Sequence, residues 1–412
     1  MAITDQTKGV WSLDEVYNKI AQGSIWTYQG VEGRIWFSGA ADYGLSAKHY
    51  SPGSAYVNTS SPIQILGSAD APYSKLFTMG SCNSEAGTAA AALESGTLYM
   101  WGKNQVGECG TNSVVPQNNG LSSPVQVPGT TWSDVGIGYK YVVATKTDGT
   151  LWTWGDSDNG TLGRNEGPGN NFSSPTQLPG GTWGSTLGKT GIGNRSNVNV
   201  KTNGTLWVWG TNNYGTLGLN DRTERSSPTQ IGTDTDWEYV CPCVHDSMYA
   251  IKTNGSLWAW GYGTQGQLGL NESTSCSSPT QVGTDTNWAC TQTGHGVSSF
   301  VKTNGELYMV GGATYGSLGM NDQVKRSSPT QLPGTWSANH ADQHGPFWSY
   351  GARKADGTVW MWGYNHIGEG RWNGARPTQL SSPVQIGAGT AWAGNTYAAW
   401  VKRRMYSTFT IT

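Results

Sequence analysis

A tryptophan- and glycine-rich unit recurs seven times along the chain, and this repetition limits the possible folds more than any other feature. The clearest copies are Lys146–Gly155, Lys201–Gly210 and Lys252–Gly261, which share the pattern Lys-Thr-Asn/Asp-Gly-Thr/Ser-Leu-Trp-x-Trp-Gly. Weaker copies end at Gly39, Gly102, Gly311 and Gly363. The spacings between successive closing glycines are 63, 53, 55, 51, 50 and 52 residues. A Ser-Pro marker recurs in step, at Pro62, Pro124, Pro175, Pro228, Pro279, Pro329 and Pro383. Each unit is therefore expected to form the same substructure.

Each unit predicts about four short strands. Asp148-Gly149, Asn203-Gly204 and the matching dipeptides lie between two extended runs and favour a tight hairpin turn. In Leu-Trp-x-Trp the two tryptophans lie two residues apart, so they share one face of a strand, and that face must be covered. A lone tryptophan follows in the later units, and the Ser-Pro segment is typical of an edge strand.

Units of this size cannot bury both faces of a small sheet alone, so they must pack against one another. The sequence predicts an all-β fold, a seven-bladed β-propeller over residues 28–412. Tyr397–Lys402 and Met405–Thr408 resemble the two strands of a hairpin, whereas Arg34–Gly39 resembles a strand that follows one. We therefore expect the N- and C-terminal strands to share one blade and close the ring.

Composition and motifs argue against several classes of function. The net charge is −2 with scattered basic residues, which predicts no binding of nucleic acid or membranes. Six unevenly spaced cysteines indicate buried thiols, and neither a signal peptide nor an apolar run of membrane-spanning length occurs. The absence of nucleophile-elbow, phosphate-loop and dinucleotide motifs predicts a protein that is not an enzyme and needs no cofactor.

One constellation could bind a metal. His340, Asp342 and His344 would share one face of an extended strand, an arrangement open to metal ligation. No fourth ligand can be assigned, and the segment is an insertion relative to the other units, so a surface loop fits equally well. The prediction is that no metal binds.

Residues 1–27 predict an arm with an amphipathic helix at about 12–22. Ser12 and Glu15 form a capping box, and Gly23 ends the run. Because such a short helix is marginal alone, its apolar face must dock, either on its own propeller or on a neighbouring subunit. The residues expected to anchor it are Trp11, Leu13, Val16, Tyr17, Ile20 and Trp26.

The repeat resembles that of the regulator-of-chromosome-condensation family. Asn212–Gly218 and Tyr364–Gly368 carry the resemblance, together with the phased Leu-Trp-x-Trp-Gly and Ser-Pro segments. It implies a seven-bladed propeller; family members include a nucleotide-exchange factor, a bacterial inhibitor of β-lactamase and interaction modules. Where family repeats often carry a histidine, this chain has Tyr141, Ser247 and Val297, which disfavours close kinship with the exchange factor.

A second resemblance concerns the arm. Gly9–Trp26 is similar to a segment of bacteriophage virion and tail-associated proteins. This resemblance predicts a multicopy structural component of a virion, a tail, fibre or decoration protein, with other virion proteins and a host-surface protein or glycan as partners. The alternative is a cellular interaction module, inhibitor or nucleotide-exchange factor, and the third possibility is a glycan-active enzyme.

Recognition is expected where the repeat is broken, in the long loop of the first unit and the altered loop of the seventh. The candidate residues for this surface are Tyr43, His49, Tyr50, Tyr56, Trp348, Tyr350, His366, Arg371, Trp372 and Arg376.

Overall fold

A computed structural model describes most of the repeat region. The described residues are 35–40, 58–64, 75–78, 89–115, 120–186, 188–241, 246–294, 296–338, 343–344, 349–364, 379–385, 399–401 and 407–411. This part is all-β, and its strands form four-stranded antiparallel sheets, numbered here along the chain. Among the described residues the helical elements are short 3₁₀ turns at Asp158–Gly160 and Thr314–Gly316.

The first three sheets are built as follows. Sheet 1 contains β1 (Ile35–Ala40), β2 (Asn58–Gln64), β27 (Ala399–Val401) and β28 (Ser407–Ile411). Sheet 2 contains β3 (Lys75–Thr78), β4 (Ala89–Glu94), β5 (Thr97–Lys103) and β6 (Gly120–Gln126). Sheet 3 contains β7 (Trp132–Ile137), β8 (Tyr141–Lys146), β9 (Leu151–Gly155) and β10 (Phe172–Gln177).

The remaining sheets repeat the same plan. Sheet 4 contains β11 (Thr190–Ile192), β12 (Ser196–Val200), β13 (Leu206–Gly210) and β14 (Arg225–Ile231). Sheet 5 contains β15 (Trp237–Cys241), β16 (Ser247–Lys252), β17 (Leu257–Gly261) and β18 (Cys276–Gln281). Sheet 6 contains β19 (Trp288–Thr293), β20 (Val297–Lys302), β21 (Leu307–Gly311) and β22 (Arg326–Leu332). Sheet 7 contains β23 (Gln343–His344), β24 (Ser349–Arg353), β25 (Val359–Tyr364) and β26 (Gln379–Gln385).

The sheets pack side by side through their first strands. From sheet 2 to sheet 7, β3, β7, β11, β15, β19 and β23 contact one another in succession, and β27 contacts β3. The Ser-Pro segments form the opposite edge of each sheet, as predicted, where a proline removes no ladder hydrogen bond. In sheet 1, β1 pairs with β28, with Ile35 opposite Ile411, so a strand near the start of the chain pairs with one near its end.

The predicted hairpins form, but Asn and Gly act differently in them. Gly204 has φ of +76°, whereas Asn203 is absent from the residues with positive φ. The Asn203 side chain instead accepts hydrogen bonds from the Thr205 backbone N–H (3.2 Å) and hydroxyl (2.7 Å). That hydroxyl accepts a 2.8 Å bond from Trp207 Nε1. The motif therefore fixes both the turn and the first indole of the next strand.

The tryptophans form the core, as predicted. Trp207 and Trp209 pack edge-on against Trp183, with ring centroids 6.3 and 5.9 Å from it. Trp132 covers Trp152 and Trp154 in the same way. The Gly-x-Leu-Gly leucines are buried as well: Leu162, Leu217, Leu268 and Leu318.

Two kinds of hydrogen bond recur between neighbouring sheets. The second indole of Leu-Trp-x-Trp donates to a backbone carbonyl of the preceding unit, and all four bonds measure 2.9 Å: Trp154 to Glu108, Trp209 to Thr161, Trp260 to Thr216 and Trp362 to Ser317. At the outer edge, Ser-Pro serines donate to asparagines of the preceding unit, as Ser278 does to Asn220 (3.2 Å). Adjacent sheets are thus joined by polar bonds as well as by apolar packing.

Several predictions lie outside the described residues. These are the 1–27 arm with its helix and anchor residues, the first-unit loop, and the seventh-unit loop. No helix among the described residues is long and apolar enough to span a bilayer.

Candidate binding surface

Strand direction divides each sheet into two ends. The first and third strands of an antiparallel sheet run the same way, so the loops that follow them lie at one end. We call the surface formed by the described residues of these loops in sheets 3 to 6, together with Tyr364 at the end of β25 in sheet 7, the loop face. The opposite end, which carries the Asn-Gly and Asp-Gly turns, is the hairpin face.

The loop face has a repeated backbone scaffold. The residue after each third strand donates its N–H to the carbonyl of the short loop between the first and second strands. Asp156 bonds in this way to Lys140, Thr211 to Arg195, Tyr262 to Asp246 and Gly312 to Gly296, over 2.8–2.9 Å. Side chains can therefore differ between units without changing the loop frame.

Arg195 and Lys140 flank one tyrosine on this face. The Arg195 guanidinium lies 4.7 Å from the Tyr139 ring centroid, and Lys140 Nζ lies 5.2 Å from it. Arg195 Nη1 also donates to Asn159 Oδ1 (2.5 Å), and Tyr139 N–H donates to the Asn194 carbonyl (2.9 Å). The stack therefore joins sheets 3 and 4 and holds the guanidinium in place.

Tyrosine pairs continue the loop face. Tyr214 of the sheet 4 loop contacts Tyr262 of sheet 5, with ring centroids 4.7 Å apart. Tyr315 of sheet 6 contacts Tyr364 of sheet 7 in the same relationship, at 4.5 Å. Tyr214 is 40% exposed, and the other three are half-buried. This surface therefore offers rigid aromatic area together with hydroxyl groups.

Carboxyl groups are buried beneath the same loops. Burial raises the pKa of Asp246 to about 6, and the nearby Arg195 opposes this shift only in part. Burial also raises the pKa values of Asp156, in the sheet 3 loop, and of Glu108, in the neighbouring sheet 2 loop, against hydrogen bonds to backbone N–H groups. The charge of Asp246 therefore changes at about pH 6.

The lysines of the hairpin face interact with aromatic rings and carboxylates of the protein itself. Lys252 Nζ lies between the rings of Trp237 (4.8 Å) and Trp258 (5.0 Å), and it forms ion pairs with Asp234 (2.6 Å) and Asp236 (3.0 Å). Lysines 146, 201, 302 and 354 each lie over two aromatic rings at the equivalent place. The two aspartates of this Asp-Thr-Asp loop thus neutralise Lys252.

One residue that was predicted to lie on the recognition surface is buried. Tyr350 is 2% exposed, its ring stacks on Trp362, and its hydroxyl donates to the Val297 carbonyl (2.8 Å). Tyr350 pairs with Trp362 as Met248 pairs with Trp260, so it occupies a regular core position of the repeat. The prediction that Tyr350 belongs to an exposed surface is wrong.

The other predicted site residues are not brought together by the described structure. Tyr43, His49, Tyr50, Tyr56, Trp348, His366, Arg371, Trp372 and Arg376 lie outside the described residues. His340 and Asp342 do as well, and His344 is described only by its backbone, in β23. Within the described part, no three His, Cys, Asp or Glu side chains are grouped so that they could hold a metal ion.

Stacked antiparallel four-stranded sheets with this repeat define a propeller-type repeat protein. Three segments, 95–145, 203–241 and 254–298, match the model of the regulator of chromosome condensation (RCC1) repeat. These segments are similar to RCC1 repeats, so the predicted resemblance of the repeat is confirmed.

Relatives of known identity share the repeat region. The chain is 30% identical over 200 residues to the ultraviolet-B receptor UVR8 of Arabidopsis thaliana. The aligned region covers 45% of this chain and 41% of UVR8. It is 30% identical over 188 residues to the mitochondrial RCC1 domain-containing protein RUG3 of the same plant, covering 44% and 41%. The chain thus spans about two fifths of these relatives. The structure of Prp20p from Saccharomyces cerevisiae superposes with a TM-score of 0.70 at 15% identity, covering 93% of this chain and 92% of Prp20p.

These relatives overturn the virion prediction. UVR8, RUG3 and Prp20p are cellular proteins of a plant and a yeast. The predictions of a bacteriophage structural protein, of virion partners and of a virion location are therefore wrong. They rested on the short Gly9–Trp26 segment, whereas the repeats that match these relatives extend over far more of the chain.

Proposed function

We propose that the seven sheets are the blades of one closed propeller. The pairing of β1 with β28 and the contact of β27 with β3 support closure, because together they connect both ends of the repeat region to sheet 2. The chain ends thereby complete a blade, which leaves no unpaired strand between them. Residues 1–27 would then form a separate arm before the propeller at 28–412.

We further propose that this propeller is a cellular protein-binding module without catalytic chemistry of its own, and that its loop face is the binding surface. The observation that carries the proposal is that loops of sheet 4 hold both Tyr214, paired with Tyr262, and Arg195, stacked on Tyr139. Tyrosine and arginine dominate the residues that contribute most to protein–protein affinity. Rings held by a neighbouring ring lose little conformational entropy on binding.

The hairpin face fits this role less well. Its lysines are covered by indoles, and Lys252 and Lys302 are ion-paired with aspartates of their own unit. Its Asn-Gly and Asp-Gly turns have the same form in successive units, so they offer few features that could distinguish one partner from another. The loop face differs in every unit, and specificity requires such differences.

The known relative supports a protein as the partner class. Prp20p, which shares this fold, has been described with its binding to Gsp1p and histones. At 15% identity the likeness extends to the fold alone, so nucleotide exchange is not proposed for this chain.

Site-specific photo-crosslinking tests the proposal. A photoreactive phenylalanine analogue replaces Tyr214 on the loop face or, as the matched control, exposed Thr253 on the hairpin face. In cells that express the protein naturally, we expect position 214 to capture a discrete protein, which added unmodified chain competes away. Equal capture from both positions, or capture from position 253 alone, would reject the loop face as the binding surface.

A further inference from the structure

The boundary between sheets 3 and 4 is unusually polar. We call this boundary the seam and define it by the facing side chains of β7 and β8 on one side and β11 and β12 on the other. Tyr141 of β8 faces sheet 4, because its hydroxyl donates to the Ser196 carbonyl (3.2 Å). Asn197 of β12 faces sheet 3, because its amide donates to the Thr161 carbonyl (3.0 Å). Alternation along each strand then places Thr145 and Asn199 in the seam.

Cross-strand pairing adds a polar neighbour to each of them. Thr190 is directly opposite Asn199, and Asp134 is directly opposite Thr145. Directly opposed residues share a face of the sheet, so all four side chains line the seam. Thr145 and Asn199 are at most 1% exposed, Asp134 is 3% exposed and Thr190 is 9% exposed.

Three of these side chains carry unpaired polar atoms. Within the described protein groups, Thr145 Oγ1, Thr190 Oγ1, and both Oδ1 and Nδ2 of Asn199 have no hydrogen-bond partner. A buried amide or hydroxyl without a partner destabilises the folded state, because it has lost its hydrogen bonds to water. Native proteins rarely leave several such atoms together unless water satisfies them.

The equivalent positions in other sheets are largely apolar. Where sheet 4 has Thr190 opposite Asn199, sheet 3 has Val135 opposite Ala144 and sheet 5 has Val240 opposite Ala250. In sheets 4, 5 and 6 the places equivalent to Thr145 hold Val200, Ile251 and Val301, whereas sheet 7 has Arg353. At the boundary between sheets 4 and 5, by contrast with this seam, the repeat places aliphatic residues at the equivalent positions on both sides.

We propose that the seam is a hydration site: ordered water molecules bind between sheets 3 and 4, bridging Asn199 to Thr190 and Thr145. Water can both donate and accept, as the amide oxygen and nitrogen of Asn199 together require. A buried water typically makes about three hydrogen bonds, and three side chains with unpaired polar atoms line the seam. The boundary between sheets 4 and 5, lined by Val198, Val200 and Ala250, is expected to be dry.

A crystal structure at a resolution that shows ordered water tests the proposal. We expect solvent density within hydrogen-bond distance of the Asn199 side chain, bridging it to Thr190 or Thr145, and none beside Ala250. A seam without solvent density, or an Asn199 amide bonded only to protein groups, would overturn the proposal.

Stability measurements on Asn199→Ala give a second test. If water satisfies Asn199, removing its amide brings no gain, and the denaturation midpoint stays unchanged or falls. If the amide were buried without partners, alanine would relieve its desolvation cost and the midpoint would rise, contrary to the proposal. Ala250→Asn is the matched control: it places an amide in a dry boundary and should lower the midpoint or prevent folding.

Discussion

Trp209 Nε1 donates a 2.9 Å hydrogen bond to the Thr161 carbonyl across the boundary between sheets 3 and 4. Trp209 is fully buried, and Gly163 packs against its indole with φ of +68°. The same relationship links Trp260 to Gly218 and Thr216 one unit further on. Each second tryptophan of the repeat thus belongs to the core of its own sheet and also fastens that sheet to the preceding one.

Removing the indole N–H should weaken this connection. Trp209→Phe leaves a buried carbonyl without its donor, so the free energy of unfolding should fall by about 1–3 kcal/mol. The control Trp207→Phe removes a half-buried indole whose partner, the Thr205 hydroxyl, keeps its hydrogen bond to Asn203, so its loss should be smaller. Urea denaturation of both variants measures the difference. Equal losses would contradict the inter-sheet role of Trp209.

The glycine that packs against the indole should not tolerate replacement by a residue with a side chain. A Cβ at Gly218 would lie 2.9 Å from Trp260 Nε1 at φ of +67°, whereas one at Gly232, with φ of +56°, would meet nothing within 4 Å. Gly232→Ala should therefore cost only the conformational penalty, about 1–2 kcal/mol, and Gly218→Ala should cost clearly more. Thermal denaturation compares the two variants. Similar midpoints would show that the contact between Gly218 and Trp260 does not restrict the residue at position 218.

The raised pKa of Asp246 predicts a pH dependence of stability. Because burial raises its pKa to about 6 in the folded state, the ionised carboxylate destabilises the fold above that value. The folded chain binds the proton more tightly than the unfolded chain, so the destabilisation is relieved as pH falls through about 6 and is absent below about 4. Asp246→Asn should therefore be more stable than the natural chain at about pH 8, with the gain lost at about pH 4. A gain that is independent of pH would contradict this assignment.

Deleting residues 407–412 tests ring closure. The deletion removes β28, which pairs with β1 on one side and β27 on the other, so β1 keeps only β2 as a neighbour and β27 loses its ladder partner. We expect a lower midpoint and loss of a single cooperative unfolding transition by circular dichroism, whereas removal of Thr412 alone should change neither. An unaltered transition in the longer deletion would argue against a closed ring.

The sequence was most informative where the repeat is regular. Spacing alone placed the hairpins, the edge position of the Ser-Pro strands and the burial of Trp154, Trp209 and Trp260, because equivalent residues in phased units have equivalent surroundings. It misjudged Tyr350, which was assigned to the candidate recognition surface together with Trp348; strand pairing places Tyr350 at the position that Met248 occupies in sheet 5.

Contacts between units could not be predicted in the same way. Arg195 reaches Tyr139 across a sheet boundary, and Tyr214 reaches Tyr262 across the next. Periodicity shows which positions are equivalent but not how far apart two adjacent loops lie in space. The seam residues Thr190 and Asn199 were visible as polar departures from Val and Ala, a signal that a comparison of aligned units would have found.

The most direct test of the proposed function is partner binding by a loop-face variant. Tyr214→Ala combined with Arg195→Ala should weaken binding of the protein captured at position 214 by about tenfold or more, the effect of losing hot-spot contacts, as measured by isothermal titration calorimetry. The hairpin-face control Thr253→Ala should bind as the natural chain does, and unfolding midpoints establish that both variants are folded. Full affinity in the loop-face variant, with loss of binding in the Thr253 variant, would contradict the account.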